Sequence, residues 1–265
     1  MEQYTVGIDF GSLSGRAVLM NVASGEILAS SVYEYPHGVM SDTLLGEKKL
    51  SPHTALQHPA DYLVVLQKTV PKVCQQAGID PCCVIGIGFD FTACTMLPID
   101  EQGSPLCFQE KYRKEPHAYV KLWKDHSAQA EADRINAVAQ ERQENWLKIY
   151  GGKISSEWMM PKIFKILREA PHVYEDAARF TEAADWIYRV LTGVEHHSAP
   201  FAGYKALWNE TNGYPSADFF ETLDSRLANL VGTKLATQVT PIHSFEGRLS
   251  NIGAELIGLR EGIAV

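Results

Sequence analysis

The apolar positions of the first thirty-five residues fall into short runs separated by turn residues. Residues 4–10, Tyr-Thr-Val-Gly-Ile-Asp-Phe, are β-branched and apolar, the composition of a buried strand. Gly11 to Gly15 supplies a Gly/Ser turn, Ala17 to Asn21 resumes as a strand, Ser24-Gly25 turns the chain again, and Glu26 to Tyr35 predicts a third strand. The chain therefore opens with three antiparallel strands. The period then becomes helical, with Tyr62, Leu66, Thr69/Val70, Val73 and Ala77 on one face. Gly78 is the natural stop, and Pro71 predicts a kink or a second short helix. Val84 to Phe91 is an apolar run containing Gly86 and Gly88, the pattern of a central strand close to another backbone or a ligand. Thr95 to Ile99 predicts one more strand, closed by the turn Asp100-Glu-Gln-Gly103.

Beyond residue 115 the character changes. Pro116 to Trp146 is rich in Ala, Gln, Glu and Lys and predicts helices, as do Trp158 to Leu167 and Trp186 to Leu191, the last closed by Thr192-Gly193. The order predicts an α/β core over about 1–115, a mainly helical insertion over 116–200 and an incomplete return to the core over 201–265. Gly253 to Leu259 reads as the close of a helix and Gly262 to Val265 as the opening of a strand. A lone partial strand gains little burial, so the chain is expected to be truncated. It contains no internal repeat, coiled coil or low-complexity stretch.

Composition narrows the class. The 265 residues are 45% apolar and 21% charged, ordinary for a globular protein. A net charge of −8, with no basic run, argues against nucleic acid as a partner. It leaves room for a local cationic pocket, because net charge says nothing about one cleft. Met1 to Val6 enters an apolar strand directly, without the basic segment and apolar stretch that suggest a signal peptide, and the apolar runs are too short to cross a bilayer. The cysteines, at 74, 82, 83, 94 and 107, are odd in number and form no C-x-x-C. They fit free thiols in a reducing cytoplasm better than disulfides or a zinc site. The nine histidines lack metal-ligand spacing and read as surface or satisfied core residues.

The chemistry concentrates in Asp9-Phe-Gly11-Ser12-Leu-Ser14-Gly15-Arg16. Glycines permit close backbone approach, and consecutive N–H groups with hydroxyls can cradle an anion. An acidic strand end could hold phosphate-bound Mg²⁺ through water, and Arg16 could meet phosphate oxygens as a planar fork. The segment also suits a hairpin turn with an Asp cap, and it is neither a Walker A loop nor a G-x-G-x-x-G fingerprint. Trp123 at helical spacing suits a core position, and Lys205 could lay its stem over apolar surface. Trp158 and Trp186 read as core, Glu157 and Asp185 as caps or surface charges.

A strand ending D-x-G-[TS]-x-x-x-R that leads into a second strand resembles the phosphate loop of the actin, Hsp70 and sugar-kinase superfamily. Further segments narrow the resemblance: Gly88-Phe-Asp-Phe-Thr-Ala-Cys-Thr-Met-Leu-Pro98, Lys121-Leu-Trp-Lys-Asp-His126, Tyr150-Gly-Gly-Lys-Ile-Ser-Ser-Glu-Trp-Met-Met-Pro161, Gly203-Tyr-Lys-Ala-Leu-Trp208 and Gly258-Leu-Arg-Glu-Gly262-Ile-Ala-Val. In this order they are similar to the FGGY carbohydrate kinases, nearest to the members that phosphorylate ribulose, from residue 4 to the last.

The resemblance implies an actin-like, ribonuclease H-like ATPase core, with a mixed sheet, helices and a helical insertion. It places Asp9, Gly11, Ser12, Ser14 and Arg16 at the nucleotide's phosphates, Asp9 on the Mg²⁺ side, and Thr92, Ala93, Cys94, Trp123 and Lys205 at the sugar. Ser12 stands where most relatives have Thr, and Arg16 where many have Lys. Ala93 and Cys94 replace an Arg-Glu pair of glycerol kinase, which leaves room for a longer sugar. The implied activity is ATP- and Mg²⁺-dependent phosphorylation of L-ribulose to L-ribulose 5-phosphate, a step of arabinose catabolism. Phosphorylation of xylulose, glycerol or a related polyol is the alternative, and a non-catalytic actin-like sugar-binding module is another. The family's base aspartate and C-terminal nucleotide domain are expected beyond Val265, so this chain alone is expected to be inactive. Exposure of the face that would meet that domain also predicts self-association, with a homodimer as one form.

Overall fold

A computed structural model describes residues 2–236, 238–241 and 247–265. The alternation of the opening runs sets the first sheet. β1 (Tyr4–Phe10), β2 (Ser14–Asn21) and β3 (Ile27–Glu34) form an antiparallel meander. β4 (Val84–Phe91) lies parallel on the other side of β1, giving the order β3-β2-β1-β4. Tyr4, Val6, Ile8 and Phe10 of β1 are buried on one face, whereas Asp9 looks out from the other. β2 starts three residues earlier than the turn pattern predicts, so Ser14, Gly15 and Arg16 belong to a strand. Arg16 thereby joins Asp9 on the outer face.

The inner face is covered by α1 (Pro59–Ala77), which buries Tyr62, Val65, Leu66, Val70 and Val73. His58 caps its start, accepting the Ala60 N–H on Nδ1 at 3.2 Å. It ends at Gly78 with φ 65°, where the Gly78 and Ile79 N–H groups return to the carbonyls of Gln75 and Cys74. The kink or break expected at Pro71 is not realised as a second helix, since one 19-residue helix runs through it. Burial of the apolar stripe outweighs the one backbone bond a proline removes.

A second sheet joins β5 (Met96–Ile99), β6 (Val120–Lys121), β7 (Arg179–Glu182) and the two-residue strand Leu56–Gln57, all antiparallel. β6 and β7 lie where the composition predicted helices. Strands of two and four residues are too short to show a period. The surrounding helices are α2 (Gln129–Glu141), α3 (Met159–Glu169), α4 (Ala183–Thr192), α5 (Ala199–Lys205) and α6 (Asn251–Ile257). Gly193 and Gly258 close α4 and α6 at φ 76° and 69°. The last residues run parallel to β4: Ala264 accepts the Ile87 N–H at 2.9 Å and bridges Gly86, the close backbone approach that the strand glycines predicted.

One core gathers the first sheet, α1, α4 and α6, and a second gathers α2, α3 and the segments around them. Among the described residues no helix is long and apolar enough to cross a membrane. All five cysteines are free.

The tightest joint between sheet and helix is at Gly15, where a Cβ would lie 2.4 Å from Val65 Cγ1. Val65 is β-branched and fully buried, so it has little freedom to yield. Gly15→Ala is expected to destabilise the protein by about 1–3 kcal/mol through overpacking. Denaturant unfolding measures the loss, and Val65→Ala in the same chain should restore most of it.

Candidate functional site

The β1–β2 turn stands on an aromatic floor. Phe10 and Phe91, paired across β1 and β4, stack at 4.3 Å, and Tyr62 meets both edge-on at 5.8 and 5.2 Å. Polar atoms from this floor hold the loop's backbone. Tyr35 Oη donates to the Gly11 carbonyl at 3.0 Å, and Gln57 Nε2 to the Ser12 carbonyl at 2.8 Å. Gln57 is itself oriented by Tyr62 Oη at 2.6 Å. The Leu13 carbonyl accepts the Tyr35 N–H at 2.9 Å. All three carbonyls are thus engaged, and among the described residues the N–H groups of Ser12 and Leu13 remain as unpaired donors. Such a loop is electropositive toward solvent, which is what an anion requires.

Asp9, Arg16 and an unanticipated third charge, Asp90, form a row across three strands. The register sets Arg16 and Asp90 directly beside Asp9 on either side, with all three exposed on the outer face. No ion pair within 4 Å engages any of them among the described residues. Asp90 lay inside the quoted segment Gly88-Phe-Asp-Phe, but only the parallel pairing of β1 with β4 shows that it flanks Asp9.

The residues expected at the sugar come together next to this loop. Trp123 is 40% exposed, not core, and its indole Nε1 donates to Ser12 Oγ at 3.0 Å. This bond joins the two halves of the expected site across 111 residues of chain. Thr92 and Ala93 are half-buried, and Thr92 Oγ1 bonds Thr95 Oγ1 at 2.8 Å. Cys94 is turned inward at 1% exposure with φ 68°. Its thiol is therefore part of the wall beneath the site, and burial raises its pKa. Lys205 ends α5 with Nζ 3.5 Å from Glu157 Oε1. Glu157 is fixed in turn by the Ser155 hydroxyl, which lowers its pKa against the opposing effect of burial.

Two buried charges that sequence reasoning missed tie these pieces together. Lys162 has no exposed surface, and its ammonium donates to the Cys94 carbonyl at 2.6 Å and the Leu122 carbonyl at 2.9 Å. It therefore clamps the Ala93–Cys94 turn to the residue preceding Trp123. Burial pushes its pKa down to about 8 despite the pull of neighbouring acids. Glu182 lies alongside, raised to about 8 by burial and by Asp185, with the Cys94 N–H favouring its ionised form. Lys162 had a visible signal: it is a lysine inside Met159-Met160-Pro161-Lys162-Ile163-Phe164, on a helix whose first nine residues are all buried.

The readings of Glu157 and Asp185 as caps or surface charges need correction. Glu157 is the partner of Lys205, and Asp185 is buried. Asp185 Oδ2 accepts His197 Nδ1 at 2.5 Å, and Oδ1 accepts the Ser198 N–H at 3.1 Å, fixing the start of α5 and so the placement of Lys205. Burial acts to raise the pKa of Asp185, but the hydrogen bonds and charges of His196 and His197 together lower it. The histidines are not all bland either. His37, His58 and Asp61 cluster closely enough to be candidate metal ligands. However, the two imidazoles stack at 4.3 Å and Asp61 is already bonded to His37 at 2.6 Å, so their lone pairs do not converge on one point.

This arrangement, a donor-only loop joined through an indole to a lysine-bearing cleft, fits the family that the sequence matches. The profile of the FGGY family of carbohydrate kinases, N-terminal domain, covers residues 4–265. The chain belongs to the FGGY family. A ribulokinase of Bacillus licheniformis is 50% identical over 254 residues, 96% of this chain and 46% of that protein. The ribulokinase of Shouchella clausii is 50% identical over 266 residues, 100% of this chain and 47% of its own length. The FGGY chain spans about half the length of these curated relatives. Among solved structures, a xylulose kinase from Rhodospirillum rubrum superposes with a TM-score of 0.76 at 20% identity, over 99% of this chain and 48% of that one. The FGGY fold, actin-like with a mixed sheet, is therefore shared.

Glu182 generates a testable pH dependence. Its folded pKa lies above the ordinary carboxylate value, so the folded state keeps a proton that the unfolded state releases. Its contribution is intact below the unfolded pKa of about 4.5 and is lost as pH rises toward about 8, by up to about 1.4 kcal/mol per pH unit. Glu182→Gln should flatten unfolding free energy between pH 5 and 8. An unchanged slope would show that Glu182 is ionised throughout.

Proposed function

We propose that the complete protein phosphorylates a ketose, L-ribulose, at its terminal hydroxyl with ATP and Mg²⁺, in the cytoplasm. The observation that carries this reading is the Trp123–Ser12 hydrogen bond, which sets a sugar platform against a loop built to receive phosphate. Ribulokinases at 50% identity support the choice of ketose. The free thiols fit a reducing compartment.

On this reading the Ser12 and Leu13 N–H groups take phosphate oxygens of the nucleotide. Ser12 Oγ accepts the indole proton, so its own hydroxyl proton is free for the same phosphate. Gly11 and Ser14 close the turn through the Gly11 N–H to the Ser14 carbonyl at 3.0 Å. Arg16 adds positive charge from β2, and Asp9 fits a metal-side role because its carboxylate is exposed and unpaired. When bound, Mg²⁺ neutralises charge on the phosphate oxygens. Trp123 offers an apolar face to the sugar, Lys205 donates to its hydroxyls while held by Glu157, and the methyl-sized Ala93 leaves space. In the transfer, the sugar oxygen forms a bond to the γ-phosphorus as the bond to the ADP oxygen breaks. Gains come chiefly from positioning, because phosphoryl transfer gives the protein little covalent work.

The test is a coupled ADP-release assay on the complete protein with L-ribulose, xylulose and glycerol. Ribulose should be preferred. Lys205→Met should raise its KM about 10–100-fold, the range for a lost charged hydrogen bond, with the KM for ATP little changed, and Trp123→Ala should also raise the KM for ribulose. Preference for glycerol would point to another polyol, and no turnover or binding of any of these sugars would reject the kinase reading.

A further inference from the structure

Lys121 of β6 lines a further polar cavity of about 240 Å³, together with Lys49, Ser51, Thr54, His117 and Lys165 among others. Lys121 is 2% exposed; no hydrogen bond or ion pair within 4 Å engages its ammonium among the described residues, and the Asp125 carboxylate is the neighbouring charge that acts on it most strongly. Burial lowers the Lys121 pKa and the charge of Asp125 offsets that only in part, so an acceptor placed in the cavity relieves the remaining cost. The acids nearby, of which Glu115 and Glu169 also line the cavity, each hold further partners. Glu169 pairs with Lys165 at 2.6 Å and with His117 Nε2 at 3.2 Å, while Glu115 Oε1 accepts the His117 N–H at 3.0 Å. Asp125 accepts from Ser127 and from the Ala55 N–H. Lys49 stands exposed at the cavity's edge, and Ser51 and Thr54 share one hydrogen bond at 2.9 Å, so one of the two hydroxyls still has a proton to give. In a chain of net charge −8 this is a local excess of donors.

A second orphan defines the rest of the ligand. His117 Nδ1 is buried with no partner. Burial holds the ring neutral, with its pKa pushed down to about 2, and Nε2 faces a carboxylate that can only accept. Nε2 therefore carries the proton and Nδ1 is an acceptor that calls for a hydroxyl donor. The volume equals about eight waters at ~30 Å³ each, and lies below the roughly 300–1,000 Å³ of pockets for drug-sized molecules.

The geometry points to a binding site for a small phosphorylated polyol, its phosphate on Lys121, Lys49 and the Ser51/Thr54 hydroxyls, and one of its hydroxyls on His117 Nδ1. Neither the fold comparison nor the kinase reading assigns these residues. Lys121 precedes Leu122 and Trp123 in sequence, so an occupant here presses on the same short segment that carries the sugar platform.

Calorimetric titration of the complete protein at fixed ionic strength, with ribose 5-phosphate and with inorganic phosphate as probes, tests the proposal. Ribose 5-phosphate should bind saturably and more tightly than inorganic phosphate. Lys121→Met should weaken both by about tenfold or more, as expected for a lost charge-assisted contact. His117→Phe should weaken the sugar phosphate alone. Lys205→Met should leave both unaffected, which separates this cavity from the proposed sugar site. If Lys121→Met fails to fold, the exposed Lys49→Glu takes its place and should weaken both probes. Absence of saturable binding, indifference to the Lys121 and Lys49 changes, or loss of binding in Lys205→Met would each overturn the proposal. Equal affinity for the two probes, unchanged by His117→Phe, would overturn the polyol part.

Discussion

The site depends on three carbonyl groups pointing the wrong way for an ordinary turn. Those of Gly11, Ser12 and Leu13 are all drawn inward, by Tyr35, by Gln57 and by the Tyr35 backbone. A surface turn normally shows solvent a mixture of donors and acceptors. Here every acceptor is spent on the protein, and what faces outward is a set of donors. The cause lies in the core. Tyr62 packs against Phe10 and against Tyr35, and both tyrosine hydroxyls reach the loop or the glutamine that holds it. Hydrophobic packing thus fixes the polarity of a loop whose one large apolar side chain, Leu13, is exposed.

Buried charge is used the same way in the second sheet. α3 carries Lys162 and Lys165 three residues apart, both buried. Lys162 faces the sugar side and ties Cys94 to Leu122, while Lys165 faces the other cavity and holds Glu169. A buried ammonium with two carbonyl acceptors is a rigid spacer, because its desolvation is compensated only while both acceptors stay in place. Removing the charge leaves the carbonyls orphaned, and separating the loops leaves the ammonium orphaned.

The sequence revealed the first sheet almost completely, because long alternating strands and a capped helix each carry their own periodicity. Asp9, Ser12 and Arg16 were legible for the same reason: they sit where a strong strand meets a glycine turn. β6 and β7 were not legible, being too short to show a period and stabilised by pairing with β5. Asp90 required the register of β4 against β1. The Trp123–Ser12 bond required a contact over 111 residues that no spacing encodes. Lys162 was signalled by its apolar neighbours, whereas Asp185 read as a surface charge because its partners His197 and Ser198 come from the next segment.

Cys94 shows how the buried network and the site explain each other. A non-glycine residue held at φ 68° costs on the order of 1–3 kcal/mol and persists only where its surroundings over-determine it. Its carbonyl is taken by Lys162, and its N–H lies against Glu182. Both partners are buried charges whose pKa values are driven toward neutrality by burial. A glycine would adopt the conformation at less steric cost, but it would place no side chain in the wall. The strained cysteine is therefore best understood as a small buried plug. It aims the Ala93 turn at the cleft, with Lys162 and Glu182 present to keep it there.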